Sequence, residues 1–189
     1  MVSALDVAAR MATILTGHKL LEPAMLEYGW YIPGVGALGI TTTVGLTSPL
    51  GTRELMERVI ETRPVGFLDA EMDDFLVLGS GVWIDADGQS HREPRLVELS
   101  VSPAAIGLSA EVAVYHDIWG YYDFEGRPHP EIQRQNGRRL AAALRDLDSS
   151  LGVAAIPGEP TYFGSAVGYG IHTPDPTDDG LGPNLTDKL

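Results

Sequence analysis

The sequence predicts an α+β fold, with an antiparallel sheet of about five to seven strands packed by a long C-terminal helix and one or two N-terminal helices. Short β-branched and apolar runs succeed one another from residue 65 to residue 118 without helical patterns between them, which is typical of antiparallel strands. Apolar residues form 44% of the 189 residues, enough for a substantial core. The C-terminal helix is marked by leucines at helical spacing, namely Leu140, Leu144, Leu147 and Leu151.

Two shorter helical patterns precede the strands. The first covers the N-terminal stretch, where small and apolar residues form one stripe and Gly17 is a natural stop. The second follows Thr52, whose hydroxyl can cap it, and separates an apolar face from a charged one. Pro64 ends this helix, since the residue before a proline is disfavoured in the helical region.

Strand candidates then follow in series. They cover 65–68, 74–78, 82–85 and 95–101, with a further candidate near 162–171. Asp85 to Gly88 is a hairpin signal between two of them. The helix that begins near Glu131 and ends at Gly152 should cover the apolar face of this sheet.

The most informative stretch is 107–130, where an alternating strand runs into a turn rich in aromatic and ionisable residues. The alternation predicts a core face carrying Leu108, Ala110, Val112, Val114 and Ile118. It predicts a polar or amphipathic face carrying Ser109, Glu111, Tyr115, Asp117 and Trp119. The glycine and proline after Asp123 then force a change of chain direction.

We expect a single α+β domain over residues 1–172, followed by a tail or loop over 173–189 that is rich in Pro, Gly and Asp. No signal peptide and no run long enough for a membrane span is read from the sequence. Cysteine is absent, which is compatible with a cytoplasmic location.

Net charge constrains the partners. The formal charge is −13, with 13 Lys and Arg against 26 Asp and Glu. Nucleic acid and anionic membrane surfaces are therefore disfavoured as ligands, because both are bound through cationic side chains. A basic protein partner is favoured instead, because a negative surface would steer it.

No cofactor and no metal is expected. Gly34, Gly36 and Gly39 spell the dinucleotide pattern, but a β-branched run follows them where a nucleotide site needs a helix. The acidic run from Asp69 to Asp74 matches no cation-binding loop and is better explained as a solvated strand end.

The leading functional hypothesis is an acidic protein-binding module, in particular an immunity-type protein that neutralises a basic toxin or nuclease by occluding its active site. The predicted contact residues are those of the aromatic turn: Trp119, Tyr121, Tyr122, Asp123 and Glu125. Tyrosine and tryptophan offer large contact areas at low entropic cost, and the carboxylates would attract the partner.

Two alternatives remain open. One is a small hydrolase-like enzyme that uses His116 with Asp117 or Asp123 in a cleft roofed by aromatic rings, although a single histidine is more often structural. The sequence favours a binding protein over an enzyme. The other is a structural homo-oligomer joined through the glycine-rich and aromatic stretches.

Overall fold

The predicted fold class is confirmed. A computed structural model, which describes residues 2–103 and 107–189, has three helices, an antiparallel sheet of six strands and a small two-stranded sheet. In chain order the elements are α1 (Val2–Gly17), β1 (Glu22–Ile32), β2 (Gly36–Gly45), α2 (Arg53–Glu61), β3 (Glu71–Ile84), β4 (Ser90–Pro94), β5 (Val97–Ser102), β6 (Ser109–Val114), α3 (Pro130–Leu151), β7 (Ser165–Val167) and β8 (Gly170–His172). Single 3-10 turns lie at Asp117–Trp119 and Thr186–Lys188.

The large sheet has the order β2-β1-β3-β5-β6, and β4 pairs with β3. Strand β3 is one long strand where the sequence analysis placed two, at 74–78 and 82–85. Its glycines explain the difference. A Cβ atom would lie 2.0 Å from the Glu22 carbonyl oxygen if added at Gly79, and 2.2 Å from the Leu20 carbonyl oxygen if added at Gly81. These glycines therefore let a neighbouring segment approach the strand, and they do not turn the chain.

The chain divides into two compact units, one formed by 1–81 and 94–114 and the other by 82–93 and 115–189. In the first unit, α1 packs against β1 and β5 through a fully buried apolar stripe. Helix α2 begins at the predicted cap, where the Leu55 amide donates to the Thr52 hydroxyl at 3.4 Å. The largest buried side chains of this unit are Trp30, Tyr28, Phe75, Leu5, Leu15, Leu20, Leu21, Leu26, Leu55, Leu96 and Leu99.

In the second unit, α3 packs against the 3-10 turn at Asp117–Trp119 and against β8. Its buried face includes Asn136, whose amide side chain accepts from the Ile84 amide at 2.9 Å and donates to the Ile84 carbonyl at 2.7 Å. Both amide functions are thus paired at a buried position, as burial of a polar group requires. The helix ends as predicted at Gly152, which has a left-handed φ of 72°.

The strand predicted near 162–171 is two short strands, β7 and β8, and two further strand predictions are wrong. Residues 65–68 form consecutive turns, because Pro64 and Gly66 (φ 91°) interrupt extended pairing. The strand predicted through Ile118 ends at Val114, and a 3-10 turn replaces its last residues. Every residue of β6 is exposed or half-buried, so the predicted core face of this edge strand is also wrong.

Candidate functional site

We define the aromatic turn as residues 119–128. Its first ring, Trp119, is only 2% exposed, and the 3-10 turn that carries it packs on α3. The indole Nε1 is buried without a hydrogen-bond partner in the described part of the chain. Trp119 therefore serves the interior of the second unit, and of the five predicted contact residues only four reach the surface.

Carboxylates in the aromatic turn and just before it hold the backbone of the turn. Asp123 Oδ1 accepts from the Glu125 amide at 2.9 Å and from the Arg127 amide at 2.8 Å. Asp117 Oδ2 accepts from the Phe124 amide at 3.1 Å. Glu125 forms an ion pair with Arg127, which offsets its charge locally. These acidic groups thus have structural partners within the chain.

The C-terminal segment, residues 173–189, contacts the aromatic turn through Gly182 and Leu185. The Gly182 amide donates to the Gly126 carbonyl at 2.9 Å, and the Leu185 amide donates to the Phe124 carbonyl at 2.8 Å. The Tyr122 ring covers Gly182 so closely that an added Cβ would lie 2.6 Å from it. Tyr122 is consequently half-buried, and Tyr121, at 42% exposure, is the most accessible ring of the turn.

The residues of the enzyme alternative do not form a linked set. Within the described ranges, His116 makes no hydrogen bond to Asp117 or to Asp123, and both carboxylates accept backbone amides. A nucleophilic or acid–base site needs its groups within hydrogen-bond reach of one another. The three side chains therefore lack, in this arrangement, the mutual contacts that such chemistry uses.

The motifs set aside in the sequence have clear structural roles. Gly34, Gly36 and Gly39 all have positive φ and shape the tip of the β1–β2 hairpin and the start of β2. The acidic run includes the beginning of β3. In residues 2–103 and 107–189, no three His, Cys, Asp or Glu side chains are grouped to hold a metal ion.

One of the segments with strongly exposed apolar side chains was predicted from the sequence as a strand and not as a surface loop. We define the apolar loop as residues 65–68, which connects α2 to β3. Val65 is 100% exposed, Leu68 is 80% exposed, and Phe67 is also partly open to solvent. Ile60, at the end of α2, adds a fourth exposed apolar side chain at 48%. The signal in the sequence was Pro64 and Gly66 within an apolar run, which predicts a loop rather than a strand.

The apolar loop has a defined backbone conformation. The Phe67 amide donates to the Pro64 carbonyl at 3.1 Å, and the Ala70 amide donates to the Phe67 carbonyl at 3.0 Å. Arg63 Nη1 donates to the Leu68 carbonyl at 2.7 Å. Because these bonds fix the loop, its apolar side chains are presented to solvent in an ordered arrangement and not by fraying.

An acidic rim borders the apolar loop. We use this name for Glu61 and Asp69, which are exposed and directly follow Ile60 and Leu68 in sequence. Neither carboxylate forms an ion pair in the described part of the chain. The rim thus carries negative charge that is available to a partner.

A cavity of about 300 Å³ lies beside the apolar loop in the first unit. Arg63 and Glu71 both line it, and Trp30 contributes to its apolar wall. The Tyr31 hydroxyl donates to Glu71 Oε2 at 3.0 Å, and this bond is the main cause that raises the pKa of Tyr31. The cavity therefore combines apolar surface with two groups of opposite charge.

Charge does not distinguish the two units. The first contains twelve Asp and Glu against six Lys and Arg, a formal −6, and the second contains fourteen against seven, a formal −7.

No family model, curated protein or solved structure matches the chain. No helix in the described ranges combines the length and apolar character needed to cross a membrane. The apolar loop and the cavity both lie in the first unit.

Proposed function

We propose that this α+β chain is a protein-binding module that uses the apolar loop and its acidic rim to hold a basic partner. The observation that carries the proposal is the near-complete exposure of Val65 and Leu68 on an ordered loop. Apolar side chains gathered on a fixed surface are typical of interaction sites, because their burial against a partner is favourable.

The charge of the partner follows from the rim. Glu61 and Asp69 would attract cationic side chains and hold them at the edge of the contact, where ion pairs set association rate and register. The central affinity would come from Val65 and Leu68 entering an apolar groove, because the buried centre of an interface contributes most of its energy.

A narrower form of the proposal makes the chain an immunity-type protein that neutralises a basic toxin or nuclease by occluding a cationic active site. The small size, the net charge of −13 and the absence of cysteine support this form. The proposal places the encounter in the cytoplasm, with which a cysteine-free chain is compatible.

The test is comparative capture. The immobilised wild-type chain and the Val65→Ser/Leu68→Ser variant are exposed to lysate of the source cells, and each retained protein is then purified and titrated against both. We expect a basic protein whose affinity falls at least about tenfold in the variant. The matched control, Tyr121→Ser/Glu125→Gln, changes the aromatic turn and should retain the wild-type affinity. Equal affinity for the wild type and the loop variant would refute the proposal.

The rim has a separate signature. Glu61→Lys/Asp69→Lys should slow association with the partner. The difference in association rate between this variant and the wild type should shrink as the salt concentration rises, because salt screens exposed charges. A deficit that does not change with salt would assign the rim a different role.

A further inference from the structure

The cavity of the first unit has the size of a small-molecule site. Its volume of about 300 Å³ lies at the lower end of the range for ligand pockets. Trp30, Val59 and Met72 are almost fully buried and supply its apolar wall. The Trp30 indole N–H already donates to the Thr42 hydroxyl at 2.8 Å, so the ring offers apolar contact and has no unmet polar group.

The cationic group of the cavity has unused hydrogen-bonding capacity. Arg63 Nη1 donates to the Leu68 carbonyl, whereas Nε is buried without an acceptor. Among the described residues, no carboxylate lies within ion-pair distance of this guanidinium. Nε itself is closed to solvent, but the guanidinium charge has no carboxylate partner, and a ligand carboxylate in the cavity would supply one.

The anionic group of the same cavity also lacks an ion-pair partner. Glu71 accepts the Tyr31 hydroxyl through Oε2, and no Lys, Arg or His of the described ranges pairs with its carboxylate. Arg63 and Glu71 thus line one cavity without being joined to each other. Such an arrangement is complementary to a ligand that carries both charges.

We propose that the cavity binds a free α-amino acid with an apolar side chain. The ligand carboxylate is held by the positive charge of the Arg63 guanidinium. The ammonium is held by Glu71, and the side chain packs against Trp30 and Met72. A nucleotide or other polyanion fits less well, because Arg63 is the sole cation among the described residues of the lining. This inference is independent of the proposed protein partner.

Calorimetric titration with three ligands that share the isobutyl side chain of leucine tests the inference on the unmodified chain. Leucine carries both charges, isocaproate lacks the amino group, and isoamylamine lacks the carboxylate. We expect leucine to bind at least about tenfold more tightly than either analogue, since each lost charge removes a charge-assisted hydrogen bond. Isocaproate or isoamylamine binding as tightly as leucine would overturn the inference, and so would no binding of leucine at about 10 mM.

Two variants assign the groups. Arg63→Met should weaken the binding of leucine and isocaproate about tenfold or more and leave the binding of isoamylamine unchanged. Among the two analogues, Glu71→Gln should weaken the binding of isoamylamine and leave that of isocaproate unchanged. Arg53→Met and Asp74→Asn remove the same charges from exposed positions outside the cavity and should bind leucine as the wild type does.

Glu71→Gln keeps the inference testable if Arg63→Met unfolds, because it leaves the bond from Arg63 to Leu68 in place. Loss of affinity for all three ligands to the same extent in this variant, with the fold retained by circular dichroism, would contradict the assigned role of Glu71. Because Val65→Ser/Leu68→Ser leaves the cavity lining intact, it should bind leucine normally, which separates this inference from the proposed protein contact.

Discussion

The aromatic turn and the apolar loop differ in what their side chains already contact. The turn is rich in rings and carboxylates, yet Trp119 is buried, Asp123 holds backbone amides and the C-terminal segment covers Tyr122. The loop has one ring and no carboxylate, yet the side chains of Val65 and Leu68 are almost fully in solvent. Residue types alone therefore do not measure an available surface, because intramolecular partners determine what remains for another molecule.

The largest expected contrast between the two regions is in stability. Trp119→Ala should lower the free energy of unfolding by about 3–5 kcal/mol, because it removes a large buried ring. Val65→Ser/Leu68→Ser should change it by no more than about 0.5 kcal/mol, because both side chains are already in solvent. Urea denaturation measures both values.

Trp119→Phe provides the control for this contrast. It keeps most of the ring and removes the indole N–H that is buried without a partner, so it should cost less than Trp119→Ala. A Trp119→Ala protein as stable as the wild type would show that the ring is not a core residue, and the comparison of the two regions would then fail.

The contact between the C-terminal segment and the turn is tested by two glycines with similar backbone angles. Gly126 (φ 85°) would place a Cβ 2.2 Å from the Gly182 carbonyl oxygen, whereas a Cβ at Gly180 (φ 81°) would have no neighbour within 4 Å. Gly180→Ala should cost about 1–2 kcal/mol through its left-handed conformation. Gly126→Ala should cost more and should release the segment.

Hydrogen exchange of the Gly182 and Leu185 amides is the direct readout for the two glycines, since both amides donate to the turn. Their protection should fall in Gly126→Ala and persist in Gly180→Ala. The same protection in both variants would mean that the segment is not held by the turn.

A smaller change in stability is expected from Asp123, and it tests whether this carboxylate stabilises the turn or attracts a partner. Asp123→Ala loses two hydrogen bonds to backbone amides and should destabilise the protein by about 1–2 kcal/mol. Asp123→Asn removes the charge but keeps an acceptor oxygen, so it should retain most of the stability and all of the partner affinity. A large loss of partner affinity in Asp123→Asn would return the steering role to the aromatic turn.

The smallest expected effect lies in the cavity beside the loop. The bond to Glu71 raises the pKa of Tyr31, so Glu71→Gln should move that pKa down toward about 10. Because the folded-state pKa is raised, the associated stability is complete below the unfolded pKa and is lost as the pH rises through the folded-state pKa. Ultraviolet titration, with Tyr31→Phe to assign the signal, measures the change. An unaltered titration would contradict the hydrogen bond.

Local patterns were enough to predict much of the fold. The helix with Leu140 and Leu147 on its buried face, and its end at Gly152, follow from spacing and backbone preference within one segment. The burial of Trp119 and the pairing of Gly126 with Gly182 depend on partners distant in sequence, which periodicity does not report.

The same limit explains what was missed at the candidate site. The cavity combines Trp30 of β1, Arg63 of the segment after α2 and Glu71 of β3, so no continuous motif records it. The apolar loop was within reach of local reasoning, because Pro64 and Gly66 disfavour a strand. Four consecutive apolar or small residues nevertheless match a strand pattern when the turn preferences of Pro64 and Gly66 are not considered.

Site-specific photo-cross-linking distinguishes the apolar loop from the aromatic turn as the surface that binds a partner. A photoreactive phenylalanine analogue is placed at Val65 in one chain and at Tyr121 in another, since both positions are exposed and they lie in the two regions compared. Illumination in the source cells should give an adduct with a basic protein from position 65 and none from position 121. An adduct from position 121 alone would contradict the account and make the aromatic turn the docking surface.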